Sequence, residues 1–167
     1  ALSLSAAGLF TFNKIATDVQ AYIDGDSNVA DITTTGGNVS VSAIDTSQIT
    51  ADAQAVSVTA SLGGNSAVAL SIGLSIADNH IDNALSARID TANVLTSGGD
   101  VIVKATDQDP DTGDTTKIES KSIAVAVSAA MGKTGIALSG GAAESTNTIL
   151  STTNAFILDS TLGNTGG

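Results

Sequence analysis

Four aspartates alternate through one polar loop, Asp107, Asp109, Asp111 and Asp114. Carboxylates at that spacing can converge on a hard cation, and Ca²⁺ is the ion that takes such oxygen ligands. The loop lacks the terminal Glu and the turn Gly that an EF-hand requires at fixed places. A solvated acidic turn is therefore the competing reading. A smaller cluster, Asp24 and Asp26 with Asp18, has the same chemistry in weaker form. His80 is the single histidine, so neither a His-based metal triad nor a Ser-His-Asp arrangement is assembled from local spacing. With no cysteine, thiol chemistry, disulfides and thiolate metal sites are all excluded. Glycine pairs such as Gly63-Gly64 and Gly140-Gly141 are not followed by Lys-Ser/Thr, so they read as turns and not as a phosphate loop. Apart from Ca²⁺, the residues imply no cofactor and no catalytic site.

The elements that carry these residues repeat. Ala-Leu-Ser occurs at Ala1, Ala69 and Ala137, two steps of 68 residues. Behind each start come an Asn-x-Ile (Asn13, Asn79, Asn147), an Ala-x-Ile (Ala21, Ala87, Ala155) and an Asp (Asp24, Asp90, Asp159). A Gly-Gly turn follows at Gly36, Gly98 and Gly166. The two longer copies then continue with Asn38-Val39-Ser40-Val41-Ser42-Ala43 and Asp100-Val101-Ile102-Val103-Lys104-Ala105. These landmarks divide the chain into repeat 1 (1–68), repeat 2 (69–136) and a partial repeat 3 (137–167). Both ends fall inside the pattern, as expected of a piece of a longer array, and the start has neither the Met nor the basic region of a signal peptide.

Within each copy the apolar residues alternate with Ser and Thr, as in Val56-Ser57-Val58-Thr59-Ala60 and Ala124-Val125-Ala126-Val127. A two-residue period rich in β-branched side chains predicts strands. The expected fold is all-β, a repetitive β-solenoid of parallel β-helix type, with stacked long β-hairpins as the alternative. At the ~20–25 residues per coil usual for such solenoids, a unit of 68 residues would hold about three coils. The composition is 42% apolar but only 2% aromatic, so the core must be a thin, closely layered one of Ala, Val, Ile and Leu. Repeated small residues can form ladders at the ~4.8 Å strand spacing. The recurrent asparagines suit a structural role, bonding turn backbone or stacking as an amide ladder. The nearly uncharged stretches 53–77 and 122–143 read as core or as subunit interface.

This series of Asn-x-Ile, Ala-x-Ile, Asp and Gly-Gly-(Asn/Asp)-Val-x-Val-x-Ala resembles the repeats of giant bacterial filamentous adhesins, the leukotoxin-like and filamentous-haemagglutinin-like surface proteins. The resemblance implies a β-helical rod displayed at or beyond the cell surface.

The function expected is a non-catalytic structural rod or filament module of an extracellular, adhesin-like surface protein. Its partners would be further copies of itself and a host or neighbouring cell surface. One alternative is a self-assembling fibre subunit joined end to end by strand complementation. Another is a polysaccharide-active enzyme on a β-helix, for which Phe10, Phe12, Tyr22 and Phe156 supply few sugar-stacking rings. An ice-binding face would need threonine ladders, and Thr33-Thr34-Thr35 and Thr115-Thr116 are out of repeat register. A net charge of -11 disfavours nucleic acid, and no apolar run reaches the ~20 residues of a membrane helix, so membrane insertion is not expected.

Overall fold

The computed structural model describes residues 1–26, 30–108, 112–113 and 117–164. The described chain is all-β, with eleven strands. They are β1 (Leu2–Asp24), β2 (Ile32–Thr34), β3 (Val39–Asp45), β4 (Ile49–Leu62), β5 (Ser66–Asp90) and β6 (Asn93–Thr96). There follow β7 (Val101–Asp107), β8 (Ile118–Met131), β9 (Thr134–Ile149), β10 (Thr152–Leu158) and β11 (Thr161–Asn164). The two-residue alternation carries through into a buried–exposed alternation that is unbroken along β4.

Pairing joins equivalent segments of successive repeats in parallel. Ile32 of β2 lies beside Val94 of β6, and Val39 of β3 beside Val101 of β7, both 62 residues apart. Ile49 of β4 lies beside Ile118 of β8, 69 apart, and Thr152 of β10 beside Ala84 of β5, 68 apart. Hydrogen-bonded neighbours are thus one whole repeat apart. The expected coils of about 20–25 residues do not form: strands as long as β4 and β5 put paired residues a whole repeat apart. Nor do β4 and β5 close as a hairpin: they belong to different sheets.

The chain divides into two compact units that cut across the repeats, 1–14, 48–80 and 118–148 in one, and 15–47, 81–117 and 149–167 in the other. In the first unit, β5 runs between β1 and β9 in one sheet, and β4 and β8 form the opposing sheet. The Ser71 hydroxyl donates to the Ser57 carbonyl at 2.9 Å, and that of Ser75 to the Ala53 carbonyl at 2.8 Å. Serine side chains thus bridge one sheet to the backbone of the other, so the layers lie closer than the ~10 Å of ordinary stacked sheets. Gly73 permits this approach, since a Cβ there would stand 2.9 Å from the Val125 carbonyl oxygen.

The second unit is packed in the ordinary way. Val39, Val41, Ala43, Ala87, Ile89, Ala92 and Val94 are buried together, with Ile23, Ile32 and Val103 against them. Its Gly-Gly turns have a double cause. Gly36 and Gly98 hold positive φ (109° and 76°). A Cβ on Gly99, the second of its pair, would sit 2.0 Å from the Gly37 carbonyl oxygen.

Candidate functional site

Of the four loop aspartates, Asp107 is described, and it is committed to a lysine. Asp107 ends β7 in register beside Asp45 at the end of β3. The Lys117 ammonium is 2.5 Å from Asp107 Oδ1 and 3.6 Å from Asp45 Oδ2. Asn83 of β5 donates its amide to Asp45 Oδ2, and the Ser47 hydroxyl and backbone N–H donate to Asp45 Oδ1. Two carboxylates stacked in a parallel ladder repel each other, and the lysine cancels that repulsion. Burial raises the pKa of Asp45, but the Ser47 hydrogen bonds, the Lys117 charge and a hydrogen bond with Asp107 together hold it below its ordinary value. Asp109, Asp111 and Asp114 lie outside the described residues. Among the described residues, no three His, Cys, Asp or Glu side chains gather to hold a metal ion.

The asparagines form a ladder through all three repeats. Asn13 Nδ2 donates to Asn79 Oδ1 at 2.8 Å, and Asn79 Nδ2 donates to Asn147 Oδ1 and to Ser120 Oγ at 3.0 Å each. Hydroxyls extend the pattern inward: Ser57 bonds both Ser5 and Ser71, and Ser122 donates to Ser75. Asp90 and Asp159 are not equivalent positions. Register places Leu158 beside Asp90, so Asp159 falls in line with Thr91, and both of these hold positive φ (45° and 52°).

His80 lies on the outer side of its strand, 2.9 Å from Asp78 and with its ring 5.6 Å from that of Phe12. The Arg88 guanidinium stacks over Tyr22 at 4.7 Å.

The feature that the sequence reading did not resolve is the polarity of the first unit. The 53–77 stretch splits between two faces. Ala53, Ala55, Ser57, Ala67, Ala69, Ser71, Ser75 and Ala77 are buried. The large aliphatic residues point the other way: Val56, Val58 and Leu62 on β4, and Val68, Ile72 and Leu74 on β5, are 36% to 70% exposed. On β1, Leu2, Leu4, Phe10 and Phe12 are exposed, as are Ile136 and Leu138 on β9 and Val125, Val127 and Met131 on β8. Each outer face of this two-layer unit therefore carries an apolar band, bordered by Asp52, Glu119 and Lys121 on one face and Asp78 on the other, over an interior mostly of alanine, glycine and hydroxyls.

Fold and geometry thus define an all-β protein with parallel sheets, in which paired residues lie 62 to 69 positions apart. Beyond that class, no protein-family model, curated protein or solved structure matches the chain.

Proposed function

We propose that this chain is a non-catalytic structural module, a β-solenoid segment of a rod or filament belonging to an extracellular, adhesin-like bacterial surface protein. The observation that carries this reading is the repeat-on-repeat register: residues 62 to 69 apart pair in parallel along strand after strand. Each repeat offers the next the same strands in the same order, so the stacking can continue through any number of copies. The asparagine ladder supports the reading too, since a ladder is satisfied only when like side chains recur along the stack. The location in this reading, at or beyond the cell surface, rests on the resemblance of the repeat motifs to those of filamentous adhesins.

Electron cryo-microscopy of the purified chain, with and without a calcium chelator, tests the proposal. Rods with an axial spacing of ~4.8 Å are the expected result. Rods lost on chelation would make Ca²⁺ part of the structure, through the acidic loop. Compact, monodisperse particles without axial order would sink the filament reading.

A further inference from the structure

We infer that the apolar outer face of the β1–β5–β9 sheet is a lateral interface with a second copy of this chain. Along that face the outward positions are Leu2, Leu4, Ala6, Gly8, Phe10 and Phe12 on β1. Val68, Leu70, Ile72, Leu74 and Ile76 continue it on β5, and no charged side chain interrupts either row. The first charged outward residues are Lys14 on β1, Asp78 on β5 and Glu144 on β9, where the apolar band ends. Its most exposed side chains, from Val68 at 36% to Leu2 at 78%, together with the half-buried Leu70 and Ile76 and with Ile136 and Leu138 on β9, add up to on the order of 1,000 Å² of apolar surface. That exceeds the ~300–600 Å² patch of a typical monomer and matches the ~800 Å² that each partner contributes to a stable complex.

Charge and backbone decide which occupant fits. At a net charge of -11, two copies repel each other over most of their surface, so association is favoured along the uncharged β1 and β5 rows. A hydrocarbon occupant fits less well. Among the described residues, β1 and β9 pair only with β5, and their outer edges present unpaired N–H and C=O groups that lipid cannot satisfy. Two such sheets pack face to face with side chains interdigitated, and the edges stay open to water or to the strands of a stacked copy. This contact is lateral and independent of the axial stacking proposed above: loss of axial order shows in the ~4.8 Å spacing, loss of the lateral contact in the solution mass.

Sedimentation velocity over a concentration series tests it, using the chain, the double variant Leu4→Lys with Ile72→Lys, and Val58→Lys on the opposite sheet as control. All of these positions point outward, so the strand signature in circular dichroism is retained. The wild-type chain and Val58→Lys form dimers or larger species at micromolar concentration, and the double variant associates at least ~100-fold more weakly. A wild-type chain that stays monomeric, or a double variant that associates as tightly, would overturn the inference. So would a wild-type monomer that floats with phosphatidylcholine vesicles when the double variant does not, which assigns the face to lipid. The chain has no cysteine, so a spin label on Leu74→Cys reads the contact without disturbing the sheet. Short label-to-label distances between copies support the interface, and their absence in an associated sample rejects it.

Discussion

Asn79 shows how much can rest on one side chain. It is fully buried, and it accepts from Asn13 while donating to Asn147 and Ser120. Replacing it with leucine removes those bonds and strands the amide groups on either side. Asn79→Leu should lower unfolding free energy in urea by about 2–3 kcal/mol; a loss under half a unit would mean the ladder contributes nothing. The Asp45–Lys117–Asp107 cluster makes a pH-dependent prediction. The folded-state pKa of Asp45 is depressed below 3.8. Its contribution is therefore complete well above that value and is lost as pH falls through the folded pKa. Lys117→Met leaves the buried Asp45 carboxylate facing the half-buried Asp107, and should cost about 3 kcal/mol at neutral pH. The share of the acid-side decline that comes from Asp45 should also shrink in the variant, because without the cation its folded pKa moves back toward the unfolded value. Urea titrations of both proteins at stepped pH check the size and the sign. The ladder's existence was legible from Asn13, Asn79 and Asn147 recurring at one place in each repeat. Lys117 was not, because nothing in its neighbourhood marks a lysine that folds back between carboxylates from two different repeats.

At the scale of the strand, the informative element is β5. Its odd-numbered residues are buried from Ala67 to Ile89 without a break in phase. The large residues, by contrast, change sides: Val68, Ile72 and Leu74 face out, whereas Ile81, Leu85 and Ile89 face in. The usual assumption that the bulkier set faces the core therefore works in the second half of the strand and inverts in the first. A signal was available in the sequence. Asp78, His80 and Asp82 must face water, they share parity with Val68 to Ile76, and an unbulged strand cannot change parity along its length. The inversion makes a prediction that ordinary hydrophobic reasoning reverses. Ser57→Val, which puts a larger apolar residue into the closely spaced interior and removes the bonds to Ser5 and Ser71, should cost about 2–3 kcal/mol. The neighbouring Val58→Ser, on the outer face, should stay within about 1 kcal/mol of the parent. Gly73→Ala should behave like Ser57→Val, since its Cβ would press on the Val125 carbonyl. Thermal melts of the three variants decide: equal losses at 57 and 58 would mean that the phase is wrong.

For the whole molecule, stability should grow with the number of stacked copies. Each repeat pairs mainly with its neighbours, so adding one adds both its own folding term and a new interface. A chain with residues 69–136 duplicated in tandem should melt at a higher temperature than the parent, and calorimetry should show a larger unfolding enthalpy. An unchanged midpoint, with the added copy melting separately, would show that the repeats do not stack cooperatively.

By itself the sequence determined the strands, because a two-residue alternation of β-branched with small polar residues suits little else. It also marked which residues are equivalent, since Ala-Leu-Ser, Asn-x-Ile and Gly-Gly return in order and the parallel register follows them closely. Tertiary structure decided the rest. The long strands place hydrogen-bonded neighbours a whole repeat apart, a distance that local patterning does not encode. The direction in which each alternating face points depends on what stands opposite. In the first unit that is another sheet, so close that alanine, glycine and serine make up most of what lies between the layers, and most of the bulky aliphatic residues are left outside.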